Sequence, residues 1–114
     1  MPVLRIETNQ KLSREQTTDL MEKSTDMLCR VLGKPKTFMM VYVDAGCNMM
    51  FNGSTAPFAF VQLRQFAFEE NRAAEIIAAI SSFVTDALDV SQDRQYIQLS
   101  EMESSLFGWD GKPC

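Results

Sequence analysis

The sequence predicts an α+β domain of order βαββαβ, a four-stranded sheet carrying two helices on one face. Three observations lead there. Each half of the chain repeats a strand–helix–strand plan, the helices open and close on recognisable caps, and every strand has one aliphatic and one mixed parity. At 114 residues the chain holds a single core, so one domain spanning residues 1–114 is expected.

The first strand runs from Val3 to Thr8. After it, Ser13 and Gln16 have the spacing of a capping box, in which each side chain satisfies the other's free backbone N–H. Leu20, Met21, Met27, Leu28, Val31 and Leu32 then recur at helical spacing. Gly33 supplies a left-handed stop and Pro35 prevents the helix from resuming. A second strand, Phe38 to Asp44, leads into a turn-rich stretch through Gly46, Asn48, Asn52 and Gly53. Asn52-Gly53-Ser54 has the form of a glycosylation sequon but reads as a turn. The second half opens with a strand from Phe58 to Phe66. Glu69, Glu70 and Asn71 then stand where negative charge and a cap favour a helix start. Ile76, Ile77, Ile80, Phe83, Val84, Ala87 and Leu88 mark that helix's apolar face, Ser91-Gln92-Asp93 turns the chain, and Gln95 to Ser100 is the fourth strand. Leu106-Phe107-Gly108-Trp109 is apolar enough to dock as a short extra strand.

Strand parity separates two faces. Leu4 and Ile6, Met39, Val41 and Val43, Ala59, Val61 and Leu63, and Ile97 and Leu99 suit packing under the helices. The other face mixes Val3, Phe38, Met40, Tyr42, Phe58, Phe60 and Tyr96 with Arg5, Glu7, Gln62, Arg64, Gln98 and Ser100. Left open, it is a larger apolar patch than a monomer usually shows; self-association is the expected cover, the alternative being that the C-terminal tail covers enough of it.

Composition excludes several classes. A net charge of −4 argues against nucleic acid, and the pair Lys34 and Lys36 is large enough only for a carboxylate. No stretch approaches the roughly 20 apolar residues of a membrane span. The start MPVLRIETNQ has no leader pattern, and three cysteines without CxxC spacing suit a reducing compartment, so a cytoplasmic protein is expected. Histidine is absent, which removes imidazole ligands and every Ser-His or Cys-His nucleophile; no metal and no cofactor is expected. Acid–base chemistry near neutrality must therefore use another group. Pro2 offers one. If Met1 is removed, Pro2 carries a secondary amine on a rigid ring, directly before the first strand.

Taken in order, Pro2 with its apolar strand, Gly33-Lys34-Pro35, Phe51-Asn52-Gly53-Ser54 near Pro57, Asn71-Arg72, Asp93-Arg94-Gln95-Tyr96-Ile97 and Gly108-Trp109 resemble the macrophage migration inhibitory factor family of the tautomerase superfamily. The resemblance runs nearly end to end and lies in order and spacing rather than in any one segment. It implies a homotrimer with an active site at each subunit boundary. It implies keto–enol tautomerisation of small aromatic, phenylpyruvate-like α-keto acids, with Pro2 as the catalytic base after loss of Met1. Lys34 would lower the amine's pKa and pair with the substrate carboxylate, which the Phe66 backbone N–H would also bind. Tyr96 and Gln98, the latter in place of the more usual asparagine, would come from the neighbouring subunit. Phe38, Phe107 and Trp109 would form aromatic walls. Each has a plainer reading: Lys34 also suits a helix C-terminus, and the aromatics suit simple packing. The loop after Phe66 is shorter than in vertebrate members. The CxxC motif of the vertebrate cytokine is replaced by Phe58-Ala59-Phe60-Val61, so no thiol-redox activity is expected. The resemblance also admits a cytokine-like signalling protein, exported without a leader, whose tautomerase activity is vestigial.

Overall fold

A computed structural model describes residues 1–114. Its elements are β1 (Val3–Thr8), α1 (Arg14–Leu32), β2 (Met40–Asp44), β3 (Ala59–Gln65), α2 (Ala73–Leu88), β4 (Gln95–Glu101), and a terminal hairpin of β5 (Gly108–Trp109) and β6 (Lys112–Pro113). The main sheet has the order β2-β1-β3-β4. Within it β1 runs parallel to β2 and β3 parallel to β4, while β1 and β3 meet antiparallel. The two strand–helix–strand units therefore lie side by side, head to tail.

Local sequence accounts for the first helix. Ser13 Oγ accepts the Gln16 backbone N–H at 3.0 Å, and Gln16 Oε1 accepts the Ser13 N–H at 2.9 Å. At the other end Gly33 sits at φ 64°, a conformation open to glycine without penalty. The buried stripe of α1 is Leu20, Ser24, Met27, Leu28 and Leu32, and that of α2 is Ile76, Ile80, Val84 and Leu88. Both pack on Leu4, Ile6, Ala59, Val61 and Leu63, the aliphatic parity of β1 and β3, with Met39, Val41, Val43, Ile97 and Leu99 at the margins. The aliphatic parity faces the helices as predicted, but on the other face Val3 and Phe58, expected open, are buried, Phe58 beneath Phe51 and Arg94.

Several boundaries differ from the sequence reading. The second strand starts at Met40, because Phe38 adopts φ 66° and the Met39 N–H turns back to the Lys36 carbonyl at 3.0 Å. The third strand is Ala59–Gln65, one residue shorter at each end than Phe58–Phe66, and the fourth extends to Glu101. Asn71 does not cap α2. It lies at φ 65°, and Arg72 occupies the cap position with no side-chain cap bond. Arg72 instead bonds the Val31 carbonyl near the end of α1 at 2.8 Å and pairs with Glu75, so the helices are tied end to end. Ile77 and Ala87, predicted on the apolar face, lie outside the buried stripe. The tail joins no main strand. It folds on itself about Asp110-Gly111, both left-handed at φ 53° and 79°, the hairpin turn that an Asp-Gly pair favours.

The turn at Asn52-Gly53 closes with mutual Phe51–Ser54 backbone bonds of 3.0 Å. Two side chains then hold the 51–58 segment against the sheet. Asn9 Nδ2 donates to the Thr55 and Ala56 carbonyls, and its Oδ1 accepts the Phe58 N–H. Arg94 donates to the carbonyls of Phe51, Ser54, Ala56 and Pro57 and stacks over the Phe51 and Phe58 rings, each 5.3 Å away.

Candidate active site at the end of the sheet

Pro2 is buried where β1 begins, and its carbonyl accepts the Met40 N–H at 3.0 Å. The β1–β3 register ends at Val3 opposite Arg64; continued one step it would set Pro2 opposite Gln65, and two steps Met1 opposite Phe66. Lys34 reaches the same place from the loop after α1, its Nζ donating to Gln65 Oε1 at 3.4 Å. The field there is visible on the chain's first amine. The Met1 α-amino group is held below its ordinary range, first by burial and then by the Lys34 ammonium, with Cys114 acting in the opposite direction.

Aromatic pairs flank this point on both sides. Phe38 meets Trp109 edge-on at 4.8 Å between centroids, and Phe66 meets Phe107 at 5.6 Å. The left-handed Phe38 backbone turns that residue out of the strand, and its ring remains 51% exposed. The tail hairpin delivers Phe107 and Trp109. It is secured by the Cys114 N–H on the Phe107 carbonyl at 2.8 Å and by Cys114 Sγ, 3.2 Å from Met1 Sδ. One end of the sheet thus gathers Pro2, Lys34, Phe66, Phe38, Phe107 and Trp109.

Tyr96 and Gln98 are not part of that cluster. In register Tyr96 pairs with Phe60 and Gln98 with Gln62. Tyr96 thus lies roughly 16 Å along the strands from Pro2, at about 3.3 Å per residue. Tyr96 is 57% exposed and rests edge-on against Phe51 and Phe58. Gln98 is exposed and accepts a bond from Gln62 Nε2 at 3.1 Å. Both are presented outward from the open face of the sheet.

The sequence reading passed over Gln65. Its side chain is only 3% exposed, and Nε2 donates to the Ala67 carbonyl at 2.9 Å while Oε1 faces Lys34. A polar residue ending the aliphatic parity Ala59, Val61, Leu63 was the available signal.

A separate set of donor atoms, from Glu7, Asp44 and Cys47, falls within 4.8 Å at the opposite end of β1. They are already engaged. Arg5 pairs with Glu7 at 3.1 Å and Asp44 at 4.0 Å, and the Cys47 thiol donates to the Asp44 carbonyl. Burial, then Asp44 and Glu7, push that thiol's pKa up, which disfavours the thiolate a metal needs.

The paired crossover units and the proline entering the central strand define a tautomerase-superfamily fold. The model of the macrophage migration inhibitory factor (MIF) family matches residues 1–113, and the chain belongs to that family. It is 29% identical to a macrophage migration inhibitory factor homolog of Trichuris trichiura over 114 residues, 97% of each chain. It is 30% identical to D-dopachrome decarboxylase-B of Xenopus laevis over 115 residues, 97% of this chain and 95% of that one. The fold superposes on a macrophage migration inhibitory factor homologue from Prochlorococcus marinus with a TM-score of 0.89, at 23% identity and 97% coverage of both chains. Membership supports a tautomerase-like activity on a small molecule and an oligomeric assembly in general terms.

Proposed function

We propose that the protein is a keto–enol tautomerase for phenylpyruvate-like α-keto acids, with Pro2 as general base once Met1 is removed. The observation that carries this reading is the burial of Pro2 at a sheet end that Lys34 also reaches, close enough to lower the pKa of the Met1 amine one residue ahead. Burial and a neighbouring cation both favour the free amine, and a base works best when its pKa approaches working pH. The amine takes the proton from the carbon next to the keto group and returns it to the oxygen; the reverse path gives back the ketone. Nothing else is consumed. Lys34 pairs with the substrate carboxylate, the Phe66 N–H donates to it, and Phe38, Phe107 and Trp109 offer walls to the phenyl ring.

The test is ketonisation of enol phenylpyruvate, using protein whose intact mass shows Met1 absent and a second preparation that retains it. Turnover is expected only in the first, because an amide nitrogen has no basic lone pair. Inactive Met1-free protein would remove the enzymatic assignment and favour an interaction role. The rate should rise with pH through the amine's pKa and then level, since the free amine is the active form.

The assembly we infer is a homotrimer. Tyr96 and Gln98 face outward and far from Pro2 in their own chain, so a neighbouring copy is needed to bring such residues to a site. Light scattering should give a mass near three times 12.9 kDa, and a persistent monomer would end this reading.

A further inference from the structure

We propose that Gln65 is a positioning residue: its buried amide orients the Lys34 ammonium at the N-terminus and thereby sets affinity for an acidic substrate. The contact stands on geometry; its consequence for catalysis rests on the tautomerase reading above. Gln65 continues the parity of Ala59, Val61 and Leu63, all fully buried and apolar. Packing alone would favour another aliphatic residue there, because burying an amide is costly unless its groups are bonded. Here both are. Nε2 is committed to the Ala67 carbonyl at 2.9 Å, which leaves Oε1 as the atom facing Lys34. Flipping the amide would set a donor against the ammonium and an oxygen against a carbonyl, so the orientation is determined. The residue's own carbonyl is also held, by the Met102 N–H at 2.8 Å.

The Lys34 contact is long at 3.4 Å, a guide rather than a clamp. Its value lies in the acceptor being neutral. A carboxylate at this position would hold the lysine more tightly but cancel its charge, whereas an amide orients the ammonium and leaves that charge for the substrate carboxylate and the terminal amine. Among the other charged groups near this point, Arg64 stands opposite Val3 and donates to the Tyr42 hydroxyl at 3.3 Å. Cys114 acts on the first amine from the tail. Glu101, paired with Gln65 in register, accepts the Phe68 N–H at 3.2 Å.

The experiment uses Met1-free protein and compares wild type, Gln65→Met, Gln65→Glu and Lys34→Met. Steady-state ketonisation is measured across pH, and the Pro2 amine is titrated by NMR in protein labelled at proline. Gln65→Met should raise KM for phenylpyruvate about 3- to 10-fold, the worth of a weak charge-assisted bond, with kcat little changed. Gln65→Glu should also raise KM and should move both the amine titration and the rising limb of the rate to higher pH. In a Lys34→Met background Gln65→Met should add nothing to the effect, whereas Gln65→Glu, whose carboxylate also acts on the amine directly, should still raise its titration. Thermal melts identify a variant that fails to fold, and Gln65→Asn, too short to keep the contact, then replaces it. Folded variants with wild-type KM and wild-type titration would overturn the proposal. A wild type that does not turn over, while Gln65→Met raises the amine titration only when Lys34 is present, removes the tautomerase reading and leaves the positioning role standing.

Discussion

Replacing Pro2 with glycine is expected to lower kcat/KM for enol phenylpyruvate by about 100- to 1,000-fold, within the span usual for a lost general base. The substitution keeps a terminal amine, so some activity remains. It loses the ring that fixes the nitrogen at the strand mouth and the carbon that excludes water from a buried position. The β1 strand should survive, since Val3 onwards is paired on both sides and the Pro2 contribution to the ladder is its carbonyl, which glycine also has. A near-normal melting temperature with a collapsed rate is therefore the expected signature. Retention of more than about a tenth of the wild-type rate would place the base elsewhere.

The largest effect on stability should come from Arg94→Ala, which we expect to cost about 2–4 kcal/mol, seen as a melting temperature lower by on the order of 10 °C. The guanidinium joins four carbonyls of the 51–57 segment and covers two aromatic rings. Its removal leaves those carbonyls without their charged donor and the Phe51–Phe58 pair without its cover. Lysine should rescue little, because a point charge cannot match a planar fork reaching several acceptors. Tyr96 packs on the same rings, so the loss should also loosen the residue assigned to a neighbouring site. A cost below about 1 kcal/mol would mean that Asn9 alone holds the segment.

Much of this architecture was legible because it is local. Ser13, Gln16 and Gly33 act within one or two turns of themselves, and strand parity follows from the pleat, so both could be read without knowing the fold. The misses share a cause of another kind. Phe38 and Asn71 hold left-handed backbones without being glycine; asparagine tolerates that conformation by type, but for phenylalanine it is set by the surrounding packing. Arg94 acts on carbonyls about 40 positions earlier in the chain, and Gln65 on a lysine 31 positions earlier. No spacing rule reaches that far. The Asp110-Gly111 turn is different, since an Asp-Gly pair is legible but lies just beyond the apolar run, which ended at Trp109. Within the candidate site, Pro2 was singled out by its chemistry and Lys34 by the family resemblance, whereas Gln65 offered only the fainter signal of a polar residue on an aliphatic parity.

The meeting of Cys114 with Met1 bears on how the protein can be handled at the bench. An affinity handle on the first residue would block release of the proline, and one on the last would emerge from the hairpin beside the mouth of the site. Neither end is a neutral place for a purification tag or a surface anchor. The exposed Asn52-Gly53 tip is one alternative, because it points away from the sheet end where both termini converge. The outward face of α1 around Glu22 and Asp26 is another.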